Sequence, residues 1–109
     1  MAERIPDEAV VIQGGRNLPE DLRRGIRTHP SGVTGVSVEC AVGMSVEDLA
    51  AAIPHGQIGV TTVGAIRDAG GDVARNSGRS THHATLVGLS PEESSRLLTP
   101  TIPKPAQKP

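Results

Sequence analysis

The sequence predicts an α+β fold: a single small domain with one mixed sheet, helices mainly on one face, and a late β-hairpin. Three observations carry this. Short apolar runs alternate with segments that open on helix caps, which is the pattern of strands and helices sharing one core. Asp72–Arg75 and His83–Val87 read as two strands joined by a turn near Asn76-Ser77-Gly78, the hairpin. A chain of 109 residues suits one core, because dividing it would leave two marginal pieces.

The first strand is the apolar run Ala9-Val10-Val11-Ile12, stopped by Gly14-Gly15. Asn17-Leu18-Pro19-Glu20-Asp21 has the features of a helix start, with Asn17 as the cap. Leu22 and Ile26 then share one face, and Pro30 ends the helix at His29. Val36-Ser37-Val38 alternates as a second strand. Ser45 and Asp48 have capping-box spacing, which opens a helix through Ile53 that Pro54 stops. Ile58–Thr61 is the third strand, and Thr62 caps a short helix closed by Gly70-Gly71. After the hairpin, Ser90-Pro91-Glu92-Glu93 places a Ser cap, a Pro at the first helical position and a Glu at the third, so a last helix runs to about Leu98.

Residues 1–7 are expected to be a disordered N-terminus, 8–98 the domain, and 99–109 a Pro-rich extended tail. The chain carries no Phe, Trp or Tyr, so its core must come from Val, Ile, Leu, Ala and Met. The same absence argues against base-stacking platforms for single-stranded nucleic acid. A net charge of −1 gives no global attraction to phosphate, although a local patch remains open. Cys40 is the single cysteine, which excludes an internal disulfide and a cysteine-rich zinc site, and fits a reduced compartment. No apolar run approaches the roughly 18 residues of a membrane span. The expectation is a cytoplasmic protein that does not engage membranes.

The stretch from Arg75 to Thr85 concentrates the candidate chemistry: Arg75, Arg79, His82, His83 and Thr85 surround the hairpin mouth. A histidine can take a proton from a ribose hydroxyl or return one to a leaving oxygen, while an arginine stabilises charge on phosphorus. These are the parts of a metal-independent RNase with His83 or His82 as general acid/base, Arg75 or Arg79 on phosphate, and no cofactor. His82 and His83 are adjacent on a strand and point to opposite faces, so they do not share one metal ion, and no metal is expected. Gly14-Gly15 lacks the remaining residues of a phosphate loop or dinucleotide fingerprint.

From Ile66 to Leu86 the order of short helix, Gly70-Gly71, strand with Arg75, turn, and Ser80-Thr81-His82-His83 resembles HicA-type mRNA interferases. That resemblance covers about a fifth of the chain and implies a toxin-like protein acting on RNA, countered by an antitoxin, with a turn histidine as catalyst. Thr81 separates Ser80 from His82, and Gly71 stands where the family usually has an apolar ring. His83-Ala84-Thr85-Leu86 is also similar to one motif of the two-histidine phosphoesterases, for which His29-Pro30-Ser31 is a poor second copy. Val10–Gly15, Gly35–Val38 and His83–Thr85 together resemble a group of short bacterial proteins of undetermined function, and through them imply an ADP-ribosyltransferase-like core. Gln13 stands where that core has Arg. The remaining class is a non-enzymatic interaction module or inhibitor whose contact face would be Arg23, Arg24 and Arg27, with a protein partner. The sequence leaves substrate and oligomeric state open.

Overall fold

The protein is described by a computed structural model covering residues 4–76 and 81–105. The strands in chain order are β1 (Val10–Gly14), β2 (Ile26–Thr28), β3 (Thr34–Ala41), β4 (Gln57–Thr62), β5 (Asp72–Arg75), β6 (His83–Val87) and β7 (Ile102–Pro103). The α-helices are α1 (Pro19–Gly25), α2 (Val46–Leu49), α3 (Val63–Asp68) and α4 (Pro91–Leu98), and a 3-10 turn at Ala50–Ala52 follows α2. All seven described strands join one sheet in the order β5-β6-β3-β1-β4-β7, with β2 beside the start of β3. The α+β class and the late hairpin of β5 and β6 agree with expectation. Each described strand pair is antiparallel, where mixed pairing was expected.

Strand β1 lies at the centre and is apolar without alternation because both of its faces are covered. Val11 faces one layer with Val36, Val38, Cys40, Val73, Ala84 and Leu86, under Leu22 of α1, Val63 and Ile66 of α3, and Leu98 of α4. Ile12 faces the other side, where Ala41 and Ile58 meet Leu49, Ala50 and Ile53 from α2 and its extension. Three of the four described α-helices therefore share one face. Gly59 of β4 lets the end of α4 lie on the sheet, since a Cβ there would sit 2.3 Å from the Leu98 carbonyl oxygen.

Four local expectations differ from the structure. The first helix stops at Gly25, and Ile26–Thr28 pair with Thr34–Val36 as a hairpin closed by a turn with Gly32 at φ +92°. Branched Ile26 and Thr28 fit a pleated strand better than a helix end, and Gly25 weakens the helix before them. Leu18, not Asn17, is the N-cap; Asn17 adopts φ +58° and its amide nitrogen donates to the Gln13 and Gly15 carbonyls. The second helix is one turn of α followed by the 3-10 turn, because Pro54 holds Ile53 extended and three alanines offer little side chain to pack. Among the described residues, two segments expected to lie outside the domain join it. Ile5 is 1% exposed, and Ile102–Pro103 pair with Gln57–Ile58. The caps at Ser45, Thr62 and Ser90 all form, the last as a full capping box with Glu93.

Candidate functional site

Strand alternation divides β6 cleanly: Ala84 and Leu86 enter the three-helix core, so His83 and Thr85 stand on the other face of the sheet. The register then places His83 opposite Glu39 of β3, and Glu39 opposite Ile12 of β1. These three side chains form a row across three strands, each about 4.8 Å from the next along the sheet. Above that row opens a cleft of about 810 Å³, lined by His29, His55, His83, Glu39, Ser37 and Thr81 over a floor and wall that include Ile12, Val38, Ile53 and Pro54.

His83 is held by a relay. Its Nδ1 lies 2.8 Å from Asn76 Oδ1, and Asn76 Nδ2 donates to Thr85 Oγ1 at 2.6 Å. An amide oxygen can only accept, so Nδ1 of His83 carries the hydrogen and the neutral ring keeps its lone pair on Nε2. Thr85 is 3% exposed and does not line the cleft; its hydroxyl orients Asn76, which orients His83. The His29 ring stacks on His83 with centroids 5.8 Å apart. Its own Nδ1 accepts from the Ser31 backbone N–H at 3.0 Å, so neutral His29 bears its proton on Nε2, the reverse tautomer.

His55 reaches the cleft from the loop after the 3-10 turn and lies against the bare backbone of Gly14, where a Cβ would come within 2.4 Å of its Nδ1. Glu39 Oε1 is shut away from solvent with no hydrogen-bond partner among the described residues. Buried polar atoms are nearly always paired, so an orphaned carboxylate oxygen in a cleft wall marks a place where a water or ligand donor belongs.

The other sequence candidates are placed differently. Arg75 starts from the opposite face of the sheet, beside Ala84, and donates to the Cys40 carbonyl at 2.8 Å; it does not line the cleft. His82 precedes β6, and its carbonyl accepts from Cys40 N–H at 2.9 Å. Its ring is not among the cleft-lining groups. Arg79 lies outside the described residues. Arg23 pairs with Glu92 at 2.7 Å, Arg24 pairs with Asp21 at 2.7 Å, and Arg27 donates to two local carbonyls. The arginine face thus engages its own surroundings. Burial pushes the Cys40 thiol up against the smaller opposing pull of Arg75 and Arg67, which keeps it a thiol rather than a nucleophile.

Sequence reasoning missed Glu39, His55 and Asn76 as members of the site, and weighed His29 only as a poor second phosphoesterase motif beside His83. The alternation of Val36, Val38 and Cys40 already implied that Ser37 and Glu39 share the opposite face. Only the strand order brings that face of β3 beside His83, and no local pattern encodes it.

Among the described residues no three His, Cys, Asp or Glu side chains are grouped as metal ligands, and no helix is long and apolar enough to cross a membrane. Fold and site together define a seven-stranded antiparallel α+β domain with a histidine-lined cleft on its less covered face. No family profile matches the chain, and no curated protein or solved structure is significantly similar to it.

Proposed function

We propose that this protein cleaves RNA by acid–base chemistry in the histidine cleft, as a toxin-like, metal-independent ribonuclease. The observation that carries the reading is the tautomer imposed on His83: Asn76 occupies Nδ1 and leaves Nε2 as a base above the sheet. RNA contains its own nucleophile, so moving two protons is sufficient for cleavage. His83 Nε2 takes the proton of the ribose 2′-hydroxyl, and the Glu39 carboxylate, opposite His83 in the sheet, favours the imidazolium that forms. The 2′-oxygen bonds to phosphorus, and the P–O5′ bond breaks. A protonated His55, which lines the same cleft beside Gly14, gives its proton to the departing 5′-oxygen. The products are a 2′,3′-cyclic phosphate and a 5′-hydroxyl, and a second proton exchange resets the two histidines. Thr85 acts through Asn76 as a positioning residue, while Arg75 serves the sheet rather than the phosphate.

The test uses a fluorescently labelled mixed-sequence RNA. Wild type is expected to produce fragments ending in cyclic phosphate, and His83→Ala and His55→Ala to lower the rate at least about a hundredfold, the usual worth of a general acid or base. His82→Ala should retain activity. The same oligomer with deoxyribose throughout should survive intact. Absence of cleavage by folded wild type, or equal rates for wild type and His83→Ala, would remove the reading. The toxin-like aspect predicts growth arrest on induced expression, relieved by His83→Ala at matched soluble level.

A further inference from the structure

A second cleft of about 410 Å³ adjoins the first and shares Gln13, Gly14 and His55 with it. Its remaining wall includes Arg16, Asn17 and Asp21. Two of these side chains carry an oxygen that is buried and has no hydrogen-bond partner among the described residues, Asn17 Oδ1 and Asp21 Oδ2. Asn17 is 2% exposed, and its amide nitrogen is committed to the Gln13 and Gly15 carbonyls. The orientation of the amide is thereby fixed, and its oxygen is left as an acceptor without a donor. Native proteins rarely leave two such acceptors beside one cavity, because each unpaired buried oxygen costs about as much as a lost hydrogen bond. Donors are missing from the set, and a ligand can supply them.

We infer that this second cleft is a nucleobase subsite that reads the donor edge of guanine, with Asn17 and Asp21 as the specificity-determining acceptors. The inference takes its ligand class from the ribonuclease reading of the adjoining cleft. A cation is disfavoured because the charge of Asp21 is already answered: hydrogen bonds from Arg16, at 2.9 Å, and from Arg24, at 2.7 Å, hold its carboxyl below the usual carboxylate range. A neutral group rich in N–H donors fits instead. Guanine alone among the RNA bases presents a ring N–H beside an amino group, two adjacent donors with no acceptor between them. Adenine and cytosine place a ring acceptor next to their amino group, which would face the two oxygens unfavourably. Uracil offers one N–H between two carbonyls. His55, standing between the clefts, would then lie near the phosphate that follows the recognised base. Both acceptor oxygens are closed to bulk water, so the base enters as the exposed Arg16 side chain swings aside, with Arg24 still answering the charge of Asp21.

Calorimetric titration of the full chain with 3′-GMP, 3′-AMP, 3′-CMP, 3′-UMP and 3′-IMP tests this directly. The expected result is at least about tenfold tighter binding of 3′-GMP than of the other three standard nucleotides, the discrimination a two-donor contact provides. 3′-IMP, which lacks only the 2-amino group, should lose most of that advantage. Asp21→Asn should bring the four standard nucleotides to within about threefold of one another. If that variant does not fold, the comparison of 3′-GMP with 3′-IMP on wild type decides alone. Equal binding of 3′-GMP and 3′-IMP, or binding of no nucleotide, would overturn the subsite. Cleavage of RNA without base preference would overturn it while leaving the ribonuclease reading intact. Guanine preference without RNA cleavage would support the subsite and remove the ribonuclease reading.

Discussion

Gly14→Ala is the sharpest probe of how the cleft is assembled. Gly14 has no left-handed backbone requirement, so the substitution acts through space alone. Its new Cβ would meet His55 Nδ1 at 2.4 Å and Ile53 Cγ2 at 2.6 Å. His55 is exposed and can swing away, whereas Ile53 is 7% exposed and must shift inside the smaller core cluster. Overpacking of this kind costs about 1–3 kcal/mol, and for a domain of this size each kcal/mol lowers Tm by about 4–8 °C. His55→Ala, removing an exposed side chain, should cost no more than about 0.5 kcal/mol. In the double mutant the part of the Gly14→Ala penalty due to His55 disappears, giving a coupling energy of at least about 0.5 kcal/mol between the two sites. Denaturant unfolding of the four proteins measures this. RNA cleavage by Gly14→Ala should fall to the level of His55→Ala, since both take the same imidazole out of the cleft. Additive stabilities together with full activity of Gly14→Ala would show that His55 neither rests on this strand nor works in the cleft.

Four further outcomes follow from the same geometry. Asn76→Ala removes the donor to the buried Thr85 hydroxyl, so stability should drop by about 1–3 kcal/mol, and cleavage should fall with little change in nucleotide affinity; an unaltered rate would dissociate the relay from catalysis. Gly59→Ala directs a Cβ at the Leu98 carbonyl, backbone that cannot swing aside, and should cost at least about 3 kcal/mol, which a Tm within 2 °C of wild type, a shift of roughly half a kcal/mol or less, would contradict. Burial alone would raise the Asp72 carboxyl, but hydrogen bonds from Val73 N–H and Arg67 outweigh it and leave it below its ordinary value. Its contribution is therefore complete above the unfolded value of about 3.9 and is lost as pH falls through the lower folded value. Tm should drop more steeply below about pH 4 in wild type than in Asp72→Asn, and parallel profiles would refute the assignment. Cys40, 0% exposed and with its thiol raised by burial, should resist a thiol reagent at pH 8 in the native state and react once unfolded. Rapid native labelling would contradict its burial.

The parts of this fold that local chemistry specifies were legible. A serine three residues before a glutamate and a Pro at the first helical position define the start of α4 wherever it packs. Uninterrupted Val10-Val11-Ile12 announces a strand buried on both sides, and β1 is the centre of the sheet. The hairpin of β5 and β6 was readable from two short runs and a turn. Positions where two elements compete were not. Leu22 and Ile26 suit one helical face, yet Ile26 also suits a strand, and the pairing of β2 with β3 decides between them. Pro100 and Pro103 read as an unpaired tail, but a strand at the sheet edge tolerates proline, so Ile102–Pro103 can add to β4. The site was half legible for a related reason. His83 and Thr85 were visible as a same-face pair, while Glu39, His29 and His55 reach the cleft only through long-range register and loop packing.

The composition also helps explain why a cleft exists at all. Without aromatic rings, the second face of the sheet has to be covered by small aliphatic side chains on a short element. One turn of α2 and the alanine 3-10 turn that follows supply Leu49, Ala50 and Ile53 to the half of the sheet built on β1 and β4. They reach the Ala41 end of β3 but leave Ser37, Glu39 and His83 polar and partly open. From the other side, the β2–β3 hairpin bends back far enough to set His29 on His83. The uncovered strip between these two elements is the cleft, and the polar residues it contains carry no core to stabilise. Extending α2 with large apolar residues would gain burial, but it would also close over the row that runs from Ile12 through Glu39 to His83. A sheet that needed only stability would be better served by that longer helix, and Pro54, which stops it, delivers His55 to the rim instead.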